Sequence, residues 1–568
     1  MPDINKKIIF FSRVFIVLGV IFCIKLGWLQ IIHGTDYVRD ADRQYITPKS
    51  QIFDRGTIYF IKKDGTQVSA ATIKSGFKLA VNPKTLVDSG NLYEQLNAII
   101  PIDRETFNKK INKKTDIYEE LATGLTESQA KQVTDLKRKD IQIYRQAVRL
   151  YPAGTLASHL IGFMAYNNDN TVVGQYGLER FYEKTLTRSS TGISSNFFAE
   201  VFLKIKTVLS DEQKTQGDIV TTIEPSVQQV LENELMGMKN KWDSEQVGGI
   251  IMDSKTGAIY AMGVYPNFDP NNFSGASPNS FINPLVENVF EVGSIMKPII
   301  TAIALETGAI TPKTSYTDTG SVQVKNRTIK NFDGRGRGFV TMQTVLDQSL
   351  NTGMVFIMQR LDRSLFKKYF INFGLTEKTS IDLPGEVRGL ASNLENGGDV
   401  EFANISFGQG VAVTPISMIT ALNVLANHGT LVRPHVVSSI SYSSDYTETV
   451  DTNSFKKQVI TRESSDMISE MLVHVFDNYG SGNYKMDRYS IAGKTGTAQI
   501  ANPTGGYYDD RNLHSFFGYF PAHNPRFIVY LYNKYPKNRA RFSSDTTISP
   551  FLTITKFLIN YYNIPPDR

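Results

Sequence analysis

At 568 residues the chain is too long for one ordinary domain, and two or three are expected. Hydrophobic residues make up 41% and charged residues 20%, a globular balance with ample core material, and the net charge of +6 is small for this size. A single cysteine, Cys23, excludes an intramolecular disulfide and any cysteine-based metal site.

The first feature is the apolar run Ile8 to Ile32. Its part from Val14 to Ile32 is 19 residues long, about a bilayer's width. Lys25 is the one charge inside it and can snorkel to an interface. Lys6, Lys7 and Arg13 precede it, which favours a cytoplasmic N-terminus. A cleaved signal peptide is the rival reading, but no small-residue cleavage site follows. We expect a cytoplasmic tail over 1–13 and an uncleaved transmembrane anchor over 14–32. Everything beyond about residue 33 then lies outside the cytoplasm.

Residues 35–220 show short mixed elements without one dominant period. Arg55 to Tyr59 reads as a turn entering a strand, and Phe77 to Val81 as another. Asn108 to Lys139 is lysine-rich and reads as surface helices and loops. His159 sits in the apolar stretch Leu156 to Met164 with no second ligand at metal spacing, so a structural histidine is expected. Asp218 to Ile223 reads as a strand and Pro225 to Met238 as a helix with a proline start. Gln246 to Met252 and Ala258 to Val264 read as a hairpin around Asp253 to Gly257.

Next comes Gly293-Ser294-Ile295-Met296-Lys297-Pro298, just before the apolar run Ile299 to Leu305. On a helix, positions i and i+3 share a face, so the Lys297 amine sits one turn above the Ser294 hydroxyl. Serine needs a base to become a nucleophile. Lysine serves only if neutral, through desolvation or a neighbouring cation. Ser-x-x-Lys also begins at Ser75, Ser128, Ser364 and Ser454, so spacing alone does not single out Ser294. What does is order: Ser349-Leu350-Asn351 follows, placed as a break between helices at Thr341 to Asp347 and Thr352 to Leu361. Lys494-Thr495-Gly496-Thr497 comes after it. Strand-like pieces flank Lys494, at Tyr489 to Ala492 and Ala498 to Ala501. Ser515 to Tyr519 and Phe527 to Tyr532 read as strands, and Ile548 to Tyr562 as a closing helix. A phosphate-loop reading of Gly493-Lys494-Thr495 fails because Arg488 stands where glycine is required.

The ordered trio resembles the S-x-x-K, S-D-N and K-T-G set of penicillin-binding proteins and class A β-lactamases, with Leu350 in place of Asp. With the anchor, the chain resembles a monofunctional, class B penicillin-binding protein. Further residues carry the likeness: Leu26 to Gln30 with Arg55-Gly56, then Tyr151-Pro152-x-Gly154 through Gly162, and Gly177-Leu178-Glu179. Phe407 to Gly410, Thr414-Pro415 and Phe517 to Pro521 complete it. The resemblance implies an α+β fold: an antiparallel sheet between helical layers over 221–568, on an elongated α+β pedestal of dimerisation type over 35–220.

It also implies a peptidoglycan D,D-transpeptidase that needs no metal or cofactor and is acylated by β-lactams. Its substrates would be stem peptides, a D-Ala-D-Ala donor and an amine acceptor. Ser294 would be the nucleophile and Lys297 a candidate base, with Lys494 a second cation depressing its pKa. Ser349 would pass a proton to the leaving amine, and Asn351 would orient substrate backbone. Gly496 would admit a substrate strand, Thr495 and Thr497 would donate to its carboxylate, and the N–H groups of Ser294 and Thr497 would form the oxyanion hole. No glycosyltransferase signature is present, so a membrane-embedded glycosyltransferase partner is expected, together with division or elongation proteins; no nucleic acid is. A division role is favoured over elongation. The rivals are a D,D-carboxypeptidase or β-lactamase-like hydrolase, and a non-catalytic β-lactam sensor or scaffold.

Overall fold

The structure is a computed structural model. It describes residues 54–169, 171–188, 215–442, 446–502, 505–538 and 540–568, with residues 13, 16, 17, 19 and 25 before them. The expected anchor therefore lies almost wholly outside the described residues. Among those described, no helix is long and apolar enough to cross a membrane.

The described chain divides into two compact units. One holds residues 75–148, the other residues 55–74, 149–188 and 215–568. In the first, helices Ser89–Ile99, Arg104–Ile111 and Glu127–Asp135 cover the strand Glu119–Leu125 and its partner, the second half of Gln67–Val81. Thr126 and Gln129 form a reciprocal capping box at the third helix. Leu79, Leu92, Leu96, Phe107, Leu125 and Val133 make its core. The strand Glu119–Leu125 falls inside the lysine-rich stretch read as helices and loops. Its apolar Leu121 and Leu125 are buried, which the surrounding charges conceal.

In the second unit one sheet joins Ile58–Ile61 in parallel with Gly217–Thr221, which pairs antiparallel with Val437–Tyr442. Glu179, fully buried, binds two guanidinium groups there. Arg55 Nε donates to it at 2.7 Å and Arg149 Nε at 2.6 Å. Arg55 also reaches Glu183 at 2.8 Å, and Arg149 donates to the Gly56 carbonyl at 2.8 Å. His159 is buried against Phe268 with Nε2 3.0 Å from the Ser280 carbonyl, and burial pushes its pKa down to about 4. It is a neutral packing residue.

The five-stranded sheet is antiparallel throughout. Its strands are β1 (Gln246–Asp253), β2 (Ile259–Tyr265), β3 (Ala492–Ala501), β4 (Tyr507–Phe520) and β5 (Phe527–Lys534), in the order β3-β4-β5-β1-β2. Side chains alternate across a strand, and both faces here are covered. Phe527, Val529 and Leu531 enter one core, Ile528, Tyr530 and Tyr532 the other. A strand buried on both faces has no polar alternation, which is why β5 reads as one apolar run. Helices α1 (Pro225–Trp242) and α6 (Ser543–Tyr562) share the first core. Helices α2 (Lys297–Glu306), α3 (Asn351–Met358), α4 (Pro415–Ala426) and α5 (Arg462–Asp477) share the second. Helix α2 is buried on every side from Lys297 to Leu305, the mark of a central helix.

Two sequence expectations need correction. The pieces expected around Lys494 are one strand, β3, which begins only at Ala492 and carries the polar run Lys494 to Thr497 through its middle. Strand β4 begins at Tyr507, eight residues before the expected Ser515, because its polar first half pairs with the far end of β3.

Candidate active site

Ser294 lies in a single 3-10 turn, Gly293–Met296, which runs directly into α2. Two glycines let this turn be pinched between neighbours. Gly293 has φ +59°, and a Cβ there would meet the Thr497 carbonyl oxygen of β3 at 2.4 Å. Gly408 has φ +81°, and its Cβ would meet the Gly293 carbonyl oxygen at 2.1 Å. A third close approach is at Gly496, where a Cβ would meet Val292 O at 2.8 Å and Ile295 Cγ2 at 2.9 Å. Ser294 is thus held, half-buried, beside Gly496 and Thr497 with Lys297 one turn further along.

Lys297 is 0% exposed. Its amine lies 2.7 Å from the Ser349 carbonyl, 2.8 Å from Asn351 Oδ1 and 3.1 Å from Ser349 Oγ, and a neutral amine donates to two of these oxygens. Lys494, also buried, donates to the same Ser349 Oγ at 3.2 Å and to the Thr495 carbonyl at 3.2 Å. Burial above all, and then the charge on Lys494, hold the Lys297 amine well below its ordinary 10.5. Of the two causes, desolvation is the larger because α2 is enclosed by other elements.

Ser349 takes a left-handed φ of +52°, uncommon for a non-glycine residue and frequent at functional sites. The turn aims its carbonyl and hydroxyl at Lys297. Leu350, the departure from the S-D-N pattern, is 1% exposed and packs into the core, away from the groove. Asn351 has its amide oxygen on Lys297, and its Nδ2 donates to the Lys330 carbonyl at 3.0 Å. An amide nitrogen carries two protons, so one remains for a substrate carbonyl. The next residue, Thr352, anchors this wall. Its hydroxyl meets Asp318 at 2.7 Å, and its N–H donates to Asn331 at 3.2 Å.

On β3 the two threonines differ. Thr497 Oγ1 lies 2.6 Å from Ser543 Oγ, and Ser543 Oγ donates to the Gly496 carbonyl. Ser543 has one proton, so the Thr497 hydroxyl donates to Ser543. Thr495 instead meets Tyr479, whose hydroxyl accepts the Thr495 N–H at 3.0 Å.

All four residues expected to do chemistry beside Ser294, namely Lys297, Ser349, Asn351 and Lys494, join one hydrogen-bonded cluster, and Gly496 and Thr497 abut the Ser294 turn. Sequence reasoning missed Tyr479, Ser543, Asp318 and Glu291. Glu291 accepts from Gly410 N at 3.0 Å and from Tyr507 OH at 2.9 Å, tying the start of β4 to the segment before Ser294. None of these carries a local signal.

The enclosed serine–lysine turn, the left-handed serine and the lysine-bearing edge strand define a penicillin-recognising serine acyltransferase fold. Residues 247–552 match the penicillin-binding protein transpeptidase domain and residues 53–222 the penicillin-binding protein dimerisation domain. The chain belongs to the class B penicillin-binding proteins. It is 29% identical over 557 residues to Stage V sporulation protein D of Bacillus subtilis, covering 97% of this chain and 84% of that one. It is 26% identical over 567 residues to peptidoglycan D,D-transpeptidase FtsI of Escherichia coli, covering 96% and 90%. The fold matches penicillin-binding protein 3 of Mycobacterium tuberculosis, solved with aztreonam, with a TM-score of 0.68 at 22% identity, covering 91% of this chain and 98% of that one.

Proposed function

We propose that the protein is a serine-type D-Ala-D-Ala transpeptidase that cross-links peptidoglycan and serves cell division. The observation that carries this is the Ser349 hydroxyl, 3.1 Å from the Lys297 amine and 3.2 Å from the Lys494 amine, beside the turn that bears Ser294.

Neutral Lys297 takes the Ser294 proton as Ser294 Oγ attacks the carbonyl of the penultimate D-Ala. The N–H groups of Ser294 and Thr497 stabilise the oxyanion. As the C–N bond breaks, the proton passes through Ser349 to the departing D-Ala amine. An acyl-enzyme ester remains. The amine of a second stem peptide attacks it, its proton returns through Lys297 to Ser294, and the new amide leaves. Asn351 holds the donor backbone, and Lys494 with Thr495 faces its carboxylate. β-Lactams enter the first half of this path and stay on Ser294.

The names of the similar proteins support division rather than elongation, and the sequence of residues 14–32 supports attachment to the cytoplasmic membrane with the catalytic unit outside. A membrane glycosyltransferase is the partner this arrangement calls for.

The test is covalent labelling with fluorescent penicillin, together with D-Ala release from a D-Ala-D-Ala peptide. Wild type is expected to label and to release D-Ala, and Ser294→Ala to do neither while melting normally. Label retained by Ser294→Ala refutes the assignment.

A further inference from the structure

We propose that Tyr479 is a positioning residue for substrate recognition: its phenol locks the open edge of β3 at Thr495 and turns the Thr495 hydroxyl proton toward the substrate carboxylate. This rests on the transpeptidase reading above.

Strand β3 ends its sheet, with β4 on one side only. Its outward backbone groups are a liability unless something holds them. The Tyr479 hydroxyl accepts the Thr495 N–H at 3.0 Å and lies 3.2 Å from Thr495 Oγ1. A phenol has one proton to give. If Tyr479 gives it to Thr495 Oγ1, the threonine keeps its own proton for the groove. If Thr495 donates instead, that proton is spent. A carboxylate can only accept, so its arrival selects the first arrangement. Thr497 has no such choice, since its proton goes to Ser543. Thr495 is thus the threonine with a proton to offer, beside the Lys494 amine that already contacts its carbonyl.

Tyr479 is itself held firmly. Its ring packs edge-on against Phe476, with centroids 6.0 Å apart. Helix α5 ends two residues earlier at Asp477, which Arg568 grips with two hydrogen bonds of 2.6 and 2.9 Å. Immediately after the tyrosine, Gly480, Ser481 and Gly482 all take left-handed angles, so the chain turns sharply away and leaves the phenol presented to β3.

The test compares acylation of the full-length protein by benzylpenicillin and by its methyl ester, which lacks the negative carboxylate. Tyr479→Phe is expected to slow the acid roughly tenfold, about one hydrogen bond's worth, and the ester less than twofold, with an unchanged melting temperature. In a Thr495→Val background, Tyr479→Phe should change the acid-to-ester ratio by less than twofold, because the selectivity of both acts through one hydroxyl. Equal slowing of acid and ester, no slowing of either, or full additivity in the double variant overturns the proposal. Should Tyr479→Phe fold poorly, Thr495→Val alone decides: an unchanged acid-to-ester ratio refutes it. Wild type that takes up no benzylpenicillin removes the transpeptidase reading itself, a distinct result.

Discussion

Lys297 combines full enclosure with three oxygen partners and a nearby ammonium. Lys297→Met should abolish penicillin acylation by roughly 10²–10⁴-fold, the usual worth of a general base, while the protein stays folded. The lysine also leaves a signature in stability. Unfolded, its amine binds a proton up to 10.5; folded, it is held well below that. Between the depressed value and 10.5 the unfolded state binds more protons, so wild type should gain stability relative to Lys297→Met as pH rises through that window. Urea unfolding of both proteins at pH 7 and pH 9 measures the difference; a gap that narrows against wild type at pH 9 contradicts the account. The pairing of Ser294 with a lysine that must be neutral is legible from the order of the three motifs rather than from the spacing alone. The hydroxyls that orient their neighbours are not. Tyr479 acts 16 residues from Thr495, and Ser543 acts 46 residues from Thr497. Lone polar residues at such separations leave no periodic trace in a sequence.

At the level of elements, the proposed mechanism depends on how closely the Ser294 turn fits between β3 and the Gly408 segment. Gly408→Ala would force a Cβ into the Gly293 carbonyl at a backbone angle that alanine tolerates poorly. A displacement of the nucleophile by about 1 Å costs on the order of 10²-fold. We therefore expect Gly408→Ala to lose about that much in acylation rate while circular dichroism stays native; acylation within twofold of wild type would show the pinch to be dispensable. Helices α1, α2 and the hairpin β1–β2 were readable because apolar periodicity and turn residues agree there. Strand β3 reads as two pieces because its run Lys494 to Thr497 is polar and contains a glycine, and such runs look like a turn. The residues that make a groove reactive thus disguise the strand that carries them.

At the level of the molecule, Glu179 is held between Arg55 and Arg149 without exposure to water. Glu179→Ala removes the carboxylate that both guanidinium groups share, leaving Arg55 with Glu183 and Arg149 with the Gly56 carbonyl, and breaking such a buried pair costs roughly 3–5 kcal/mol. Chemical denaturation should show a loss of that size, and a change under 1 kcal/mol would mean water replaces the carboxylate freely. The sequence pointed to Gly177-Leu178-Glu179 and Arg55-Gly56 only as family-like stretches, since nothing in either predicts that they meet across 124 residues.

The chain leaves the larger unit after Lys74 and rejoins it at Arg149, and inside the smaller unit Gly76 lies against Val148, its Cβ position 3.4 Å from Val148 Cγ2. Exit and return are side by side. A segment whose two ends lie against each other closes into a fold of its own, so an insertion within residues 75–148 can leave both joints where they are.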